Sequence, residues 1–411
     1  MNTSKNYSRV KLACHTVNII MAIVANLSPL LFLTFRSIYG ISYSLLGTLV
    51  LIFFCTQLGI DLIFSFFSHK FNIQATVRIL PFLTVTGLAI YALVPTFLPS
   101  HAYLGLAIGT ALFAVSSGLA EVLMSPIVAA IPSDDPEGEM SKLHAAYAWG
   151  VVFTVIFSTV FLLLFGRENW YLLALIFCIF PIFAAILFAT STIPPMQTPE
   201  RASGALKMLK NKGIWLCVAA IFLGGAAECT MAQWASGYLE QALGIEKIWG
   251  DIFGVALFAV MLGLGRTLYA RIGKNIARVL LIGAIGATAC YLVAAISNIA
   301  VIGLIACAFT GFCASMMWPG SLLIASDKYP TAGVFIYALM AAGGDLGASV
   351  GPQLVGSITD LALESQALVS LSQTLALTPE QLGMKLGMLV GMLFPLVAIV
   401  VFGTFARQKK K

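Results

Sequence analysis

Charge is what this chain has least of. Only 10% of its 411 residues are Asp, Glu, Lys or Arg, whereas 60% are hydrophobic. So small a polar fraction cannot cover a water-soluble globule of this size. Paired cysteines are missing too: the eight present (14, 55, 178, 217, 229, 290, 307 and 313) fall singly in apolar runs, with no CxxC and no Cys/His cluster at metal spacing. They read as small inert core residues, and no metal is expected. The sequence also lacks a GxxxxGK[ST] phosphate loop, which removes ATP as a direct energy source and leaves no cofactor and no enzyme chemistry to expect.

Apolar runs are what the chain has in abundance. Those of about 20 residues, long enough to cross a bilayer, lie near 12–35, 42–68, 78–98, 102–132, 143–165, 170–193, 214–241, 249–272, 277–296, 299–326, 332–359 and 383–406. The expected class is an all-α polytopic membrane protein of twelve spans. The first run is too long for a signal-peptide core and has no small-residue cleavage site, so both termini are expected on the cytoplasmic side. With that topology, the opposite side receives only Arg36, Arg167, Lys247 and Lys385 of the 23 basic residues. This is the asymmetry that the positive-inside rule requires, and it suits a plasma or inner membrane. The net charge of +6 then reflects topology, and no nucleic-acid partner is expected.

One long polar stretch, TIPPMQTPERASGALKMLKNKG, interrupts the apolar pattern near the middle. It divides the chain into a first bundle (1–193), a linker (194–213) and a second bundle (214–411). The halves repeat in parallel. LGIDLIFSFFSHK matches LGLGRTLYARIGK, aligning Gly59 with Gly263 and Lys70 with Lys274. SSGLAEVLMSPIVAAIP matches TGFCASMMWPGSLLIA, with Gly118 and Gly311 each followed eight positions later by Pro126 and Pro319. Glu121 therefore falls opposite Ala314. A carboxylate inside a span is costly and marks a functional site by default, commonly on an ion or proton pathway.

These segments resemble the major facilitator superfamily over essentially the whole chain. RIGK (Arg271 to Lys274) is similar to the loop signature between the second and third helices of a half. Glu121, Ser125 and Pro126 resemble the fourth-helix motif of the fucose, galactose and glucose proton symporter branch. The Leu143–His144 pair leading to Gly150, and Trp318–Pro319, are similar to that branch's fifth and tenth helices. Where the branch carries a partner acid on its first helix, this sequence has Pro29. The fifth span lacks the glycine and proline motif of the drug antiporters. The resemblance implies the major-facilitator fold, with twelve helices in two six-helix pseudo-repeats rocking about a midplane site.

Four acids lie in apolar runs, and all are candidates for proton coupling: Glu121, Asp61, Glu228 and Asp345. Each has a plainer alternative. Glu121 would pair structurally with His144 or Gln57, Asp61 would latch a gate with Arg266 or Arg271, and Asp345 would make a packing hydrogen bond in its Gly/Ala-rich helix. Arg266, Arg271 and Lys274 are the gating candidates. A solute with many hydroxyls needs amides and aromatic faces, and Asn26, Gln57, His144, Tyr147, Gln233, Trp234, Tyr238 and Trp318 supply them. Trp234 and Tyr238 stand four apart and share a helical face. Pro126, Pro319 and Pro352 each remove a backbone hydrogen bond in mid-span. Thr378, Pro379 and Gln381 form a helix start, expected to open an amphipathic surface helix before the last span. The expected function is proton-coupled uptake of a neutral sugar or similar small solute by a monomeric carrier in a lipid bilayer, with sodium as the competing counter-ion. The alternative is a proton-coupled exporter of drugs or organic cations.

Overall fold

The computed structural model describes residues 7–67, 70–134, 136–194, 209–272, 275–329 and 334–407, and these are helical with no strand among them. The helices are α1 (Ser8–Tyr39), α2 (Tyr43–Phe67), α3 (Ile73–Phe97), α4 (Ala102–Ala129), α5 (Pro136–Phe165), α6 (Trp170–Phe177) and α7 (Ile179–Ala189). After the linker come α8 (Lys212–Leu243), α9 (Leu257–Ile272), α10 (Ile276–Ile296), α11 (Ala300–Ala314), α12 (Met317–Lys328), α13 (Val334–Glu364), α14 (Gln366–Thr374) and α15 (Pro379–Arg407). Pairs α6/α7 and α11/α12 each make one broken span, and among the described residues eleven spans are long and apolar enough to cross a membrane. Helix α13, 31 residues long, brings the number of membrane-length segments to the expected twelve.

Packing divides the chain into two compact units, one of 1–28 with 56–202 and the other of 29–55 with 203–411. In the first unit, glycines let α3 and α4 touch backbone to backbone: a methyl on Gly87 would lie 2.9 Å from the Gly109 carbonyl oxygen. Buried hydroxyls in that seam satisfy one another, with Thr84 donating to Ser116 at 2.7 Å and Ser116 to the Leu80 carbonyl at 2.9 Å. Such pairing matters because an unpaired polar group in hydrocarbon costs several kcal/mol.

The second unit is built around α8. A methyl on Gly351 of α13 would lie 2.9 Å from the Ala226 carbonyl oxygen, so the small residues seen in the sequence allow close helix approach. A π-helical turn, Gly250–Ala256, leads into α9. Across it, Lys247 Nζ lies 2.8 Å from the Asp251 carboxylate, which also accepts a hydrogen bond from Ser236. Thr378 and Gln381 cap each other's backbone N–H at 3.1 and 3.0 Å. They open the last span itself, however, because the separate surface helix α14 ends before them.

Candidate functional site

Glu121 is placed by a glycine one turn before it. A methyl on Gly118 would lie 3.0 Å from Ile60 Cβ and 3.1 Å from the Gln57 carbonyl oxygen, so α4 lies directly against α2 there. Residues three or four apart share a helical face, so Glu121 comes over Gln57, whose side-chain amide donates to Glu121 Oε2. One turn further along α2 is Asp61, with a carboxylate oxygen within 4.8 Å of that of Glu121. Gln57 and Asp61 are buried, whereas Glu121 is exposed. Of the two partners considered for Glu121, the structure supplies Gln57; His144 is exposed on α5.

In the second unit a different arrangement surrounds Glu228. Proline at 319 has no N–H to offer the Ser315 carbonyl four residues earlier, and the helix breaks between Ala314 and Met317. Arg266 on α9 satisfies that carbonyl through Nε at 3.0 Å and reaches Glu228 through its other arm at 3.3 Å. One guanidinium thus serves a broken helix and a half-buried acid together. Ala314, the position answering Glu121, is fully buried. Asp345 is likewise buried on α13.

The remaining candidates are dispersed. Asn26 bonds the Ala22 carbonyl of its own helix at 2.8 Å, and Tyr147, like His144, is exposed. Trp234 and Tyr238 are buried, with their polar hydrogens taken up by the Pro352 carbonyl at 2.8 Å and by the Ala294 carbonyl. Trp318 is half-buried against Gly225 and Gly344. Gln233 is buried, and its acceptor oxygen has no hydrogen-bond partner among the described residues. Arg271 is exposed at the end of α9, and Lys274 lies outside the described residues. Sequence reasoning passed over two polar groupings: the Lys247–Asp251 pair, whose i,i+4 spacing was a signal, and Asp360 of α13, whose carboxylate accepts from the backbone N–H groups of Tyr43 and Ser44 at 2.9 and 2.7 Å.

Twelve membrane-length segments in two half-repeats, with acids and broken helices in their apolar stretches, define a membrane carrier of the secondary-transporter class. The profile described as Major Facilitator Superfamily matches residues 15–352, and the chain belongs to that superfamily. It is a multi-pass membrane transporter. No curated protein matches the sequence. Among solved structures, the chain is similar to a D-xylose–proton symporter (TM-score 0.73, 13% identity, covering 97% of each chain). It is also similar to a nucleoside transporter (0.71, 13%, covering 100% of each) and to the fucose:proton symporter of E. coli (0.58, 15%, covering 96% of this chain and 99% of that one). At such identities the likeness is one of fold.

Proposed function

We propose that the protein is a secondary active transporter that takes up a neutral sugar or similar polyhydroxylated solute together with a proton. The observation that carries this reading is the neighbourhood of Glu121: an amide donor and a second carboxylate lie beside it, and among the described residues no cation pairs with it. Like charges this near repel, and a proton on either carboxyl relieves that repulsion. Moving an uncompensated carboxylate through a dry intermediate is costly. The loaded carrier therefore reorients only when the Glu121–Asp61 pair is protonated. Glu228 already has its counter-charge in Arg266 and does not need a proton to be neutralised.

The solute class is supported by the amides Asn26, Gln57 and Gln233, the last with an acceptor oxygen open to a hydroxyl donor, and by the half-buried face of Trp318. Sugars and nucleosides, the solutes in the names of the similar structures, share the hydroxyl chemistry such groups recognise. The test is thermal stabilisation of the purified protein by sugars, polyols, nucleosides and lipophilic cations at about pH 5.5 and about pH 7.5, with and without sodium, since a ligand of the native state raises its melting temperature. Stabilisation by one polyhydroxylated class, with a pH dependence that disappears in Glu121→Gln, is the expected result. Stabilisation by lipophilic cations alone would replace this reading with the exporter. A sodium dependence without a pH dependence would replace the proton.

A further inference from the structure

From the sequence the cysteines read as inert core residues, but the fold brings two of them together. Cys290 of α10 and Cys313 of α11 are free thiols, and each is the hydrogen-bond partner of the other. We infer that this pair is a reversible dithiol–disulfide site, closed by a peroxide that dissolves in the bilayer and reopened by a thiol reductant. The inference goes beyond the transport reading and does not depend on it.

Glycines make the meeting possible. Gly283, Gly286 and Cys290 follow one another three and four residues apart, so they share one face of α10, and Cys313 is seated on the two glycines. A methyl on Gly283 would run into the Cys313 carbonyl oxygen, and one on Gly286 would lie 2.7 Å from Cys313 Sγ and 3.5 Å from its Cβ. A disulfide needs Cβ atoms about 3.8 Å apart, so the two helices approach here as closely as that bond requires. Cys290 stands one turn beyond Gly286, and a helical side chain leans back toward the N-terminus of its helix. Its sulfur is thereby carried toward that of Cys313.

The seam is open on an apolar side. Both cysteines are half-buried, and Ile282 and Ile285 of α10 and Phe309 of α11, which flank them, are exposed. A hydrophobic peroxide therefore reaches the pair from the hydrocarbon. One sulfur attacks a peroxide oxygen, the O–O bond breaks, and a sulfenic acid forms as the alcohol leaves with the thiol proton. The second thiol then attacks that sulfur, the S–S bond forms, and the sulfenic oxygen leaves as water with the second proton. The sulfurs give up two electrons between them and the peroxide takes both. A dithiol reductant reverses the step by exchange. Cys313 is the next-to-last residue of α11, just ahead of the break before Met317, so the bond ties that break to α10.

The test needs neither substrate nor gradient. The whole protein in lipid nanodiscs is treated with cumene hydroperoxide, remaining thiols are blocked with N-ethylmaleimide, and the peptides are followed by mass spectrometry. The expected product is a linked pair of peptides carrying positions 290 and 313, lighter by two hydrogens and separated again by dithiothreitol. It should form roughly tenfold faster than in the same chain unfolded in dodecyl sulfate and urea, because the fold holds the thiols in place. Cys307→Ala, on the same helix as Cys313, should behave as the parent. Cys290→Ala and Cys313→Ala should lose the link and accumulate a dimedone-reactive sulfenic acid on the thiol that remains. Linking no faster in the folded than in the unfolded chain, or linking of Cys290 to Cys307, overturns the site. So does oxidation that stops at exposed Cys55 and leaves Cys290 and Cys313 open to the maleimide. Where an alanine variant does not fold, the folded and unfolded rates of the parent decide.

Discussion

In the first unit Glu121 meets Gln57 and Asp61, whereas in the second Glu228 meets Arg266 at 3.3 Å and the place that answers Glu121 is taken by buried Ala314. The same helix pairing underlies both regions, with Gly118 of α4 against α2 and Gly311 of α11 against Phe258 at the start of α9. The backbone contact is thus shared by the two regions while their charges differ. An acid with a guanidinium beside it is a settled ion pair. An acid beside another acid changes its charge balance with every proton gained or lost, and on the function proposed above that asymmetry is why coupling is sought in the first unit.

The largest effect should come from removing the charge that has no counter-ion among the described residues. Glu121→Gln is expected to abolish uphill accumulation while leaving counterflow exchange, measured in vesicles with the solute identified by thermal stabilisation; surviving accumulation would move coupling elsewhere. Next, the shared glycine contact can be compared directly. Gly311→Ala drives a methyl into the Phe258 backbone carbonyl, whereas Gly118→Ala meets Ile60 Cβ at 3.0 Å and the Gln57 carbonyl oxygen at 3.1 Å, a looser fit. Overpacking costs about 1–3 kcal/mol, so the melting temperature should fall clearly for Gly311→Ala and little for Gly118→Ala; equal losses would contradict a tighter second seam.

Arg266→Ala should cost less, about 1–2 kcal/mol, because the arginine is 45% exposed and water screens part of what its loss uncovers. Adding Glu228→Gln should recover much of that loss in a double-mutant cycle, and additive losses would mean that the two do not work as a pair. The smallest effect belongs to Glu139, before the α5 span. Hydrogen bonds from Lys11 and Lys142 hold its carboxyl below the ordinary range. A lowered folded-state pKa contributes stability that is present above the unfolded value, about 4.3, and is lost as pH falls through the folded one. Glu139→Gln should therefore slightly flatten the acid side of the stability profile at low salt, and the difference should vanish at high salt.

Much of the molecule was legible in the chain. Apolar runs of bilayer length gave the spans, and a lone acid between Gly118 and Pro126 singled out Glu121. The cap of α15 could be read because its partners are three residues apart. What could not be read were meetings between separate helices. Asp61 could be placed in its span but not beside Glu121, Trp234 and Tyr238 shared a face whose polar hydrogens turned out to be occupied, and Asp360 showed no sign of capping a helix some 300 residues away.

By itself, the sequence determined that the chain lives in a bilayer, that it crosses many times and which acid stands apart. Those properties follow from the length and polarity of local segments, since a lone apolar run can cross hydrocarbon only as a helix that satisfies its own backbone. The tertiary structure alone decided which acid gains a guanidinium and which gains a second acid, and that residues 29–55 pack with the second unit. Such partnerships depend on where glycines let helices touch and how each is rotated, and composition does not encode either.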